Sequence, residues 1–344
     1  MKYGIMVVSQ GIYGIINIGD YIQTLASRQF LPTVDVVLER ETELKTYAGG
    51  GISMIMNGWY MNQPENWPPS EKIRPLLISF HINSVALPRM LDETSVAFFK
   101  RHQPVGCRDM STVSLLRDKG VEAYFSGCLT LTLGRTYKAA RRTTNTYIVA
   151  PAEFHGALKS KQGMIGLAYA LLHPRRVRLI NAKKCQKGLR NTLYNAYFLY
   201  SYSKMFSIDL LMRSEYINHF NSEIDADYPS TEDKLRYAET LVRKYAEAQC
   251  VITSRIHCAL PCLGLETPVL FVKKETDTVS SSMRFDGLTE LLNVVPWDGK
   301  RLRNTFGKKK ITSATFPVNK TTWKRYARDL TECCESFVNE KPDA

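Results

Sequence analysis

The sequence predicts an α/β protein in which two domains each combine a β-sheet with helices. The chain of 344 residues is long enough for two hydrophobic cores of ordinary size. Short apolar runs alternate with helical patterns, which is typical of doubly wound parallel sheets with right-handed crossovers. Residues 134–146 are polar and basic and show no apolar periodicity. They predict a boundary between an N-terminal domain, residues 1–140, and a C-terminal domain, residues 141–344.

The N-terminal half repeats a strand–helix rhythm from its first residues. The predicted strands are Lys2–Ser9, Val34–Leu38, Ser53–Asn57, Leu76–Phe80, Pro104–Cys107 and Val121–Phe125. The predicted helices are Asp20–Phe30, Thr94–Arg101 and Thr112–Lys119. The last of these helices stops at Gly120, a residue that commonly ends helices.

The C-terminal half resumes the same rhythm after the predicted boundary. The predicted strands are Tyr147–Ala150, Cys250–Thr253 and Val269–Val272, and the predicted helices are Glu232–Ala248, Cys258–Leu265 and Trp323–Val338. The first of these helices has apolar residues at three- and four-residue spacings, which indicates an amphipathic helix. Residues 160–220 predict further helices, and the closing helix is expected to cross back to the first domain.

Composition and the absence of targeting signals predict a cytoplasmic protein. A hydrophobic content of 44% with 23% charged residues excludes a largely disordered chain. No apolar run is long enough for a membrane-spanning helix, and the start MKYGIMVVS indicates a buried strand and not an export signal. The eight cysteines include no CxxC pair, so reduced thiols and no metal site are expected.

The formal net charge of +13 predicts an anionic partner. Much of the excess lies in two blocks, which are Arg175, Arg176, Arg178, Lys183, Lys184, Lys187 and Arg190, and then Lys300, Arg301, Arg303, Lys308, Lys309 and Lys310. Two solvated surfaces are the simplest interpretation of these blocks. No helix-turn-helix, zinc-finger or RNA-binding aromatic signature occurs, which argues against a specific nucleic-acid partner.

Residues 175–213 combine the first basic block with aromatic side chains. These aromatic residues are Tyr194, Tyr197, Phe198, Tyr200, Tyr202 and Phe206. Basic and aromatic residues together suit an anionic membrane surface, which raises the hypothesis of peripheral contact with the inner face of a membrane. The alternative is a tyrosine-rich helix pair buried within the protein.

The first of three candidate site segments is Asn17-Ile18-Gly19-Asp20, at the end of a glycine loop that spans residues 11–19. Such loops let the backbone approach a ligand closely, and a helix start favours anions. The glycine spacing matches neither a dinucleotide-binding loop nor a P-loop. The alternative interpretation is that Asp20 only caps the helix.

The second segment is Gly106-Cys107-Arg108-Asp109, which joins a predicted strand to a predicted helix. The planar fork of Arg108 could hold a carboxylate or a phosphate through two hydrogen bonds. The alternative is a structural Arg108–Asp109 pair in which Asp109 caps the helix.

The third segment, Thr253-Ser254-Arg255-Ile256-His257-Cys258, is the strongest candidate. Residues two apart in an extended turn point the same way, so Arg255 and His257 can face one cleft. Arginine binds anions, and histidine offers a proton donor with a pKa near neutrality. His81, at the end of a predicted strand, is a weaker candidate that either lines the interdomain face or has a structural role.

These segments, in this order, resemble the polysaccharide pyruvyl transferase family. The matching stretches are NIGDYIQTLA (17–26), GCRDMSTVSLLRDKGVEAYFSGCLTLTL (106–133), YAEAQCVITSRIHCALPCLGLETPVLFV (245–272) and MRFDGLTELLN (283–293). Residues 134–230 match poorly. The resemblance implies two Rossmann-like domains facing a cleft, in the arrangement called GT-B.

The resemblance also implies a function in surface polysaccharide biosynthesis, such as that of a capsule or exopolysaccharide. The family moves a pyruvyl group from phosphoenolpyruvate to a sugar acceptor, free or lipid-linked, without a cofactor. The resemblance assigns acid catalysis to His257 and binding of phosphoenolpyruvate to Arg255, Ser254 and Arg108. Asn17 and Asp20 fall on the side of the cleft that binds the acceptor. His81 is assigned to the same side because it lies at the end of a predicted strand.

A glycosyltransferase that uses a nucleotide sugar is the nearest alternative. It would share the two-domain architecture, and a basic cleft would also bind a diphosphate. The Arg-x-His turn suits a small dianion better than a nucleotide, so pyruvyl transfer is the expected reaction.

Overall fold

The computed structural model describes residues 1–8, 16–154, 156, 158–219, 223–275 and 283–340, without the side chains of residues 223 and 225. It contains two parallel β-sheets, of six and five strands, each with helices packed against it. The predicted fold class is therefore confirmed: two Rossmann-like domains in a GT-B-like arrangement, followed by a C-terminal helix. Residues 11–15 of the predicted glycine loop, and Ser9 at the end of the first predicted strand, lie outside the described residues.

The N-terminal sheet has the strand order β2-β1-β3-β4-β5-β6. Its strands are β1 (Lys2–Val7), β2 (Val36–Glu39), β3 (Ile52–Tyr60), β4 (Ile73–Ile82), β5 (Val105–Cys107) and β6 (Ala123–Phe125). β1 lies between β2 and β3, so that Gly4 pairs with Val36 on one side and with Met54 on the other. Since the strands are parallel, their carboxyl ends meet at one edge, and the helix-forming segments begin there.

The C-terminal sheet has the strand order β11-β10-β9-β7-β8. Its strands are β7 (Thr146–Val149), β8 (Glu215–Ile217), β9 (Cys250–Thr253), β10 (Val269–Lys274) and β11 (Val294–Trp297). β8 and β11 were not predicted, and both are edge strands. Edge strands are half-buried and tolerate residues such as Pro296, so their sequences lack the apolar runs of the central strands.

Thirteen helices are described between and after the strands. They are α1 (Ile18–Arg28), α2 (Leu87–Met90), α3 (Glu93–Arg101), α4 (Met110–Arg117), α5 (Gly134–Tyr137), α6 (Lys161–Leu172), α7 (Pro174–Lys183), α8 (Leu189–Tyr202), α9 (Ile208–Arg213), α10 (Glu223–Asp227), α11 (Thr231–Glu247), α12 (Ile256–Gly264) and α13 (Trp323–Asn339). Short 3-10 helices occupy Pro64–Asn66, Ser84–Ala86, Leu129–Thr132 and Leu288–Leu291. α11 begins with a capping box between Ser230 and Asp233, and its apolar face is buried as its spacing predicted.

The two sheets are joined by direct contacts beside the cleft. α1 packs against α11 and α12, and the backbone N–H of Ile18 donates to the carbonyl of His219 at 3.1 Å. At the other end of the chain, α13 lies on the N-terminal sheet, where the Tyr3 hydroxyl donates to the carbonyl of Val338 at 3.1 Å. The boundary near residue 140 stays a prediction, and it falls between β6 and β7.

The aromatic residues of the segment 175–213 lie mostly in the core. Tyr194, Tyr197, Phe198, Tyr202 and Phe206 are all buried, as the alternative of a buried tyrosine-rich helix predicted. An aromatic membrane surface at these positions is therefore wrong, because their rings pack between α8 and its neighbours. Within the described ranges, no helix is both long and apolar enough to span a membrane.

Candidate functional site

A cavity of about 230 Å³ lies between the carboxyl ends of strands from both sheets. The N-terminal sheet contributes Arg40 after β2 and Arg108 after β5, and the C-terminal sheet contributes Arg255 after β9. The start of α1 forms a further part of the wall. The topology thus brings strand-to-helix turns that are far apart in sequence to one site, as expected for parallel sheets.

The predicted residues Asn17 and Asp20 both line this cavity, but in different roles. Asn17, and not Asp20, caps α1: its Oδ1 accepts a hydrogen bond from the N–H of Gly19 at 3.2 Å. Gly19 packs so close to His257 that an added Cβ would lie 2.9 Å from the Cβ of that histidine. The glycine is therefore needed for the close approach of the two domains at the site.

Asp20 lies in the first turn of α1, where a carboxylate is stabilised by the helix dipole. Its Oδ1 accepts a hydrogen bond from Gln23 at 3.1 Å and lies 3.9 Å from the guanidinium of Arg40. Burial raises the pKa of Asp20 above its usual value, and the positive charges of Arg40 and Arg108 oppose that rise. The result is a buried carboxylate that is a stronger base than an exposed one.

The turn after β5 separates its two charged residues. Asp109 caps α4, accepting hydrogen bonds from the N–H and the hydroxyl of Thr112, both at 2.9 Å. Its second oxygen lies 2.6 Å from Nδ1 of His81. Arg108 instead faces the cavity, so the predicted alternative of an Arg108–Asp109 pair is half right: Asp109 is structural, but its partner is His81.

His81 is not among the residues that line the cavity. It is buried near the end of β4, where its ring nitrogen binds Asp109. Burial lowers the pKa of His81, as does the nearby charge of Arg108, while the bond to Asp109 opposes this. A neutral imidazole that donates to the Asp109 carboxylate explains these contacts, and it matches the structural alternative better than contact with an acceptor.

In the turn after β9, Ser254 and Arg255 line the cavity together with His257. The hydroxyl of Ser254 donates to the carbonyl of Ala150 at 2.5 Å, which leaves its oxygen lone pairs toward other partners. Arg255 occupies the N-cap position of α12, and no side chain caps this helix start. Uncapped helix starts offer backbone N–H groups to anions.

His257 is buried at the centre of the site. Its Nε2 lies 3.3 Å from the Arg108 guanidinium and its Nδ1 lies 3.4 Å from the Gln23 amide. Burial lowers the pKa of His257 well below 6.5, and the charges of Arg108 and other basic neighbours lower it further. The imidazole is thus neutral at physiological pH, with Nε2 accepting from Arg108, whereas the sequence suggested a pKa near neutrality.

Several cavity residues were missed by the sequence reasoning: Arg40, Trp59, Asn62 and His219. Arg40 directly follows β2, just as Arg108 directly follows β5. A search for arginines at the carboxyl ends of predicted strands would therefore have found it. His219 follows β8, a strand that was itself not predicted. Its Nε2 lies 2.5 Å from the hydroxyl of Tyr245, and burial lowers its pKa to about 3.

The cavity carries a strong positive charge. Four guanidinium groups line it, from Arg40, Arg108, Arg255 and Arg284, against the single carboxylate of Asp20 among its described lining residues. Burial lowers the pKa of Arg255, which reflects the cost of holding a cation away from water. A bound anion would reduce this cost, because it would pair with the guanidinium.

Cys258 and Cys262 are buried in α12 as free thiols. In the part of the chain that the structure describes, no group of three His, Cys, Asp or Glu side chains could hold a metal ion.

Comparison with known proteins identifies the family of this chain. No curated protein matches the chain. The family model described as polysaccharide pyruvyl transferase matches residues 17–273. This range contains all the predicted site residues and the stretch 134–230, where the sequence alone showed little resemblance, but it stops before 283–293. A match over most of the chain, together with a GT-B-like fold, shows that this protein belongs to the polysaccharide pyruvyl transferase family.

Proposed function

We propose that this protein transfers the pyruvyl group of phosphoenolpyruvate to two hydroxyls of a sugar and so forms a pyruvate ketal. The observation that carries the proposal is one cavity that is lined by four arginines and by the buried imidazole of His257, which Arg108 contacts. Phosphoenolpyruvate carries a carboxylate and a phosphate on a three-carbon frame. Such a ligand needs several anion-binding groups within a small space, and this cavity supplies them.

On the donor side, Arg255 and the uncapped start of α12 are the binding groups that we assign to the phosphate. A phosphate at that position would accept hydrogen bonds from the helix N–H groups and from the guanidinium. Arg108 is on the opposite wall, and we assign it to the carboxylate. Its Nε is buried without a hydrogen-bond partner among the described residues, so part of its fork is available to a ligand.

The reaction begins with a proton transfer to the methylene carbon of phosphoenolpyruvate. The neighbouring carbon becomes electrophilic and forms a bond with one sugar hydroxyl, which releases its proton. A second hydroxyl then displaces the phosphate, which leaves with its bonding electron pair, and the ketal is complete. The methylene carbon is reduced to a methyl group while the neighbouring carbon is oxidised by the same amount, so the reaction has no net redox change and we propose that no redox cofactor takes part.

His257 is the acid that we assign to the first step. Burial lowers the pKa of His257, and the charges of Arg108, Arg284 and Arg40 lower it further. A bound phosphoenolpyruvate would neutralise those charges and draw Arg108 away from Nε2, and both effects raise the pKa of the imidazole. The histidine would therefore take up a proton as the donor binds, which couples acid catalysis to an occupied site.

On the acceptor side, Asp20 is the group best suited to remove a proton from a sugar hydroxyl. Burial raises its pKa, and general bases act best when their pKa lies closer to the working pH. Trp59, which is half-buried in the cavity wall, offers an aromatic face for a sugar ring. Asn17 and Asn62 supply amide groups beside it.

The size of the cavity favours phosphoenolpyruvate over a nucleotide sugar. Its volume of about 230 Å³ is below the roughly 300–1,000 Å³ typical of sites for drug-sized ligands. A three-carbon dianion fits this space, whereas a nucleotide diphosphate sugar would have to extend far outside it. The glycosyltransferase alternative therefore remains only as an outcome of the following test.

The test is thermal unfolding of the protein with millimolar phosphoenolpyruvate, with a nucleotide sugar, and with neither. A ligand at 100 times its dissociation constant stabilises the folded state by about 2.7 kcal/mol, which is readily measured. We expect a shift with phosphoenolpyruvate that is lost in Arg255→Ala and kept in Arg301→Ala, an exposed arginine far from the cavity. A shift with the nucleotide sugar alone would overturn the proposal and favour a glycosyltransferase.

A further inference from the structure

Helix α6 presents an apolar face to solvent. Met164, Leu167, Leu171 and Leu172 are exposed by 59%, 47%, 74% and 75%, and Ala168 is exposed beside them. Their spacing of three and four residues places all five on one side of the helix. Soluble proteins seldom expose a continuous apolar stripe of this kind unless something binds it. We name this stripe the α6 face.

The orientation of the α6 face is set by tight packing on the opposite side of the helix. Gly163, Gly166 and Tyr169 are buried there, and α6 packs against α8. A Cβ added at Gly166 would lie only 2.6 Å from the carbonyl oxygen of Leu193 on α8. The two helix backbones therefore approach so closely that α6 cannot rotate to bury its leucines.

The α6 face is surrounded by positive charge. The chain contains no aspartate or glutamate from residue 154 to residue 208. The helix that follows, α7, exposes Arg175, Arg176 and Arg178 in its first half.

We propose that the α6 face and the arginines of α7 dock on an anionic lipid membrane. An amphipathic helix that lies in the membrane plane combines an apolar side, which enters the acyl boundary, with basic residues that bind lipid phosphates. A second copy of this chain is a poor occupant, because a two-fold contact through this face would bring the arginines of both copies together. The occupant that matches both the leucines and the charge is an anionic bilayer.

In sequence, α6 follows the cavity wall: Ala150, which directly follows β7, accepts the hydrogen bond from Ser254 of that wall, and α6 begins at Lys161. Docking does not depend on pyruvyl transfer; the further step, that the sugar acceptor is lipid-linked, rests on the proposed function.

The experiment is flotation of the purified protein with vesicles of phosphatidylcholine alone and of phosphatidylcholine with phosphatidylglycerol. We expect binding to the anionic vesicles only, weakened by high salt. Arg175→Gln, Arg176→Gln and Arg178→Gln together should lower the affinity about a hundredfold, since each basic residue near an anionic surface contributes about fivefold. Leu171→Ser with Leu172→Ser should lower it about tenfold or more, because less apolar area enters the bilayer.

Matched controls change exposed residues of the other domain or of other surfaces. They are Lys72→Gln with Lys100→Gln and Lys119→Gln for the charge, and Val318→Ser with Val85→Ser for the apolar area. No flotation with anionic vesicles at low salt would overturn the proposal, as would equal loss in variants and controls. A dimer in solution that Leu171→Ser with Leu172→Ser converts to monomer, without vesicle binding, would show that a second copy covers the face. Retained phosphoenolpyruvate binding in these variants separates the docking test from the test of function.

Discussion

The turn after β5 and the turn after β9 begin with the same elements, an arginine between a strand and a helix, yet they are built differently. In the first turn, Asp109 caps α4 and is itself held by His81. In the second turn, no side chain caps α12, and His257 lies within its first residues with φ −81° and ψ 17°, away from ideal helical values. Both arginines nevertheless line the same cavity.

The difference teaches that neighbouring residues of one motif can divide between stability and function. In the β5 turn, the protein supplies its own anion to the helix start, and only Arg108 is directed to the ligand. In the β9 turn, we propose that the helix start binds the phosphate of the donor. The predictions below test this division.

The largest effect is expected from His257→Ala, which removes the proposed acid. Turnover should fall by about 10²–10⁴-fold, the usual loss on removal of a general acid, while the thermal midpoint changes little. Steady-state rates of pyruvate ketal formation and a melting curve provide the measurement. His102→Ala, in the N-terminal domain away from the cavity, is the control and should keep its rate. Wild-type turnover in His257→Ala would remove this residue from the chemistry.

Asp109→Ala should act on stability. The substitution removes the cap of α4 and leaves the buried His81 without its partner, so we expect a loss of about 3 kcal/mol in the free energy of unfolding. Urea unfolding measures this loss. The control is Asp118→Ala at the exposed opposite end of α4, which should change the free energy by less than about 0.5 kcal/mol. Equal midpoints for the two variants would contradict a structural role for Asp109.

The two arginines can be distinguished by Arg108→Gln and Arg255→Gln. Each should lower kcat/KM for phosphoenolpyruvate about a hundredfold, the effect of one or two lost charge-assisted hydrogen bonds. Only Arg108 lies beside His257, so only Arg108→Gln removes a charge that lowers the pKa of this imidazole. The pKa of the acid then rises, and the pH above which kcat/KM declines should move upward in Arg108→Gln alone. An equal upward shift of this pH in both variants would show that the two turns have the same electrostatic effect on His257.

The fold was predictable where the sequence repeats a local signal. The central strands are continuous apolar runs because they are buried on both faces, and α11 shows its period and its capping box directly. The misses, β8 and β11, lie at the edges of a sheet, where a half-buried strand needs no such run. For the aromatic residues of α8, the sequence allowed two alternatives, an exposed surface or a buried helix. Helical spacing alone does not show how many sides of a helix pack against other elements.

The sequence by itself determined the fold class and the turns that carry Arg108, Arg255 and His257. Strand ends, helix starts and glycine turns are local features, which depend on a few consecutive residues. Only the tertiary structure decided which of these residues meet. It paired Asp109 with His81, brought Gly19 against His257 and added Arg40 to the cavity. It also decided the protonation of His257, since the pKa of a buried group depends on charges contributed by both domains and not on its neighbours in sequence.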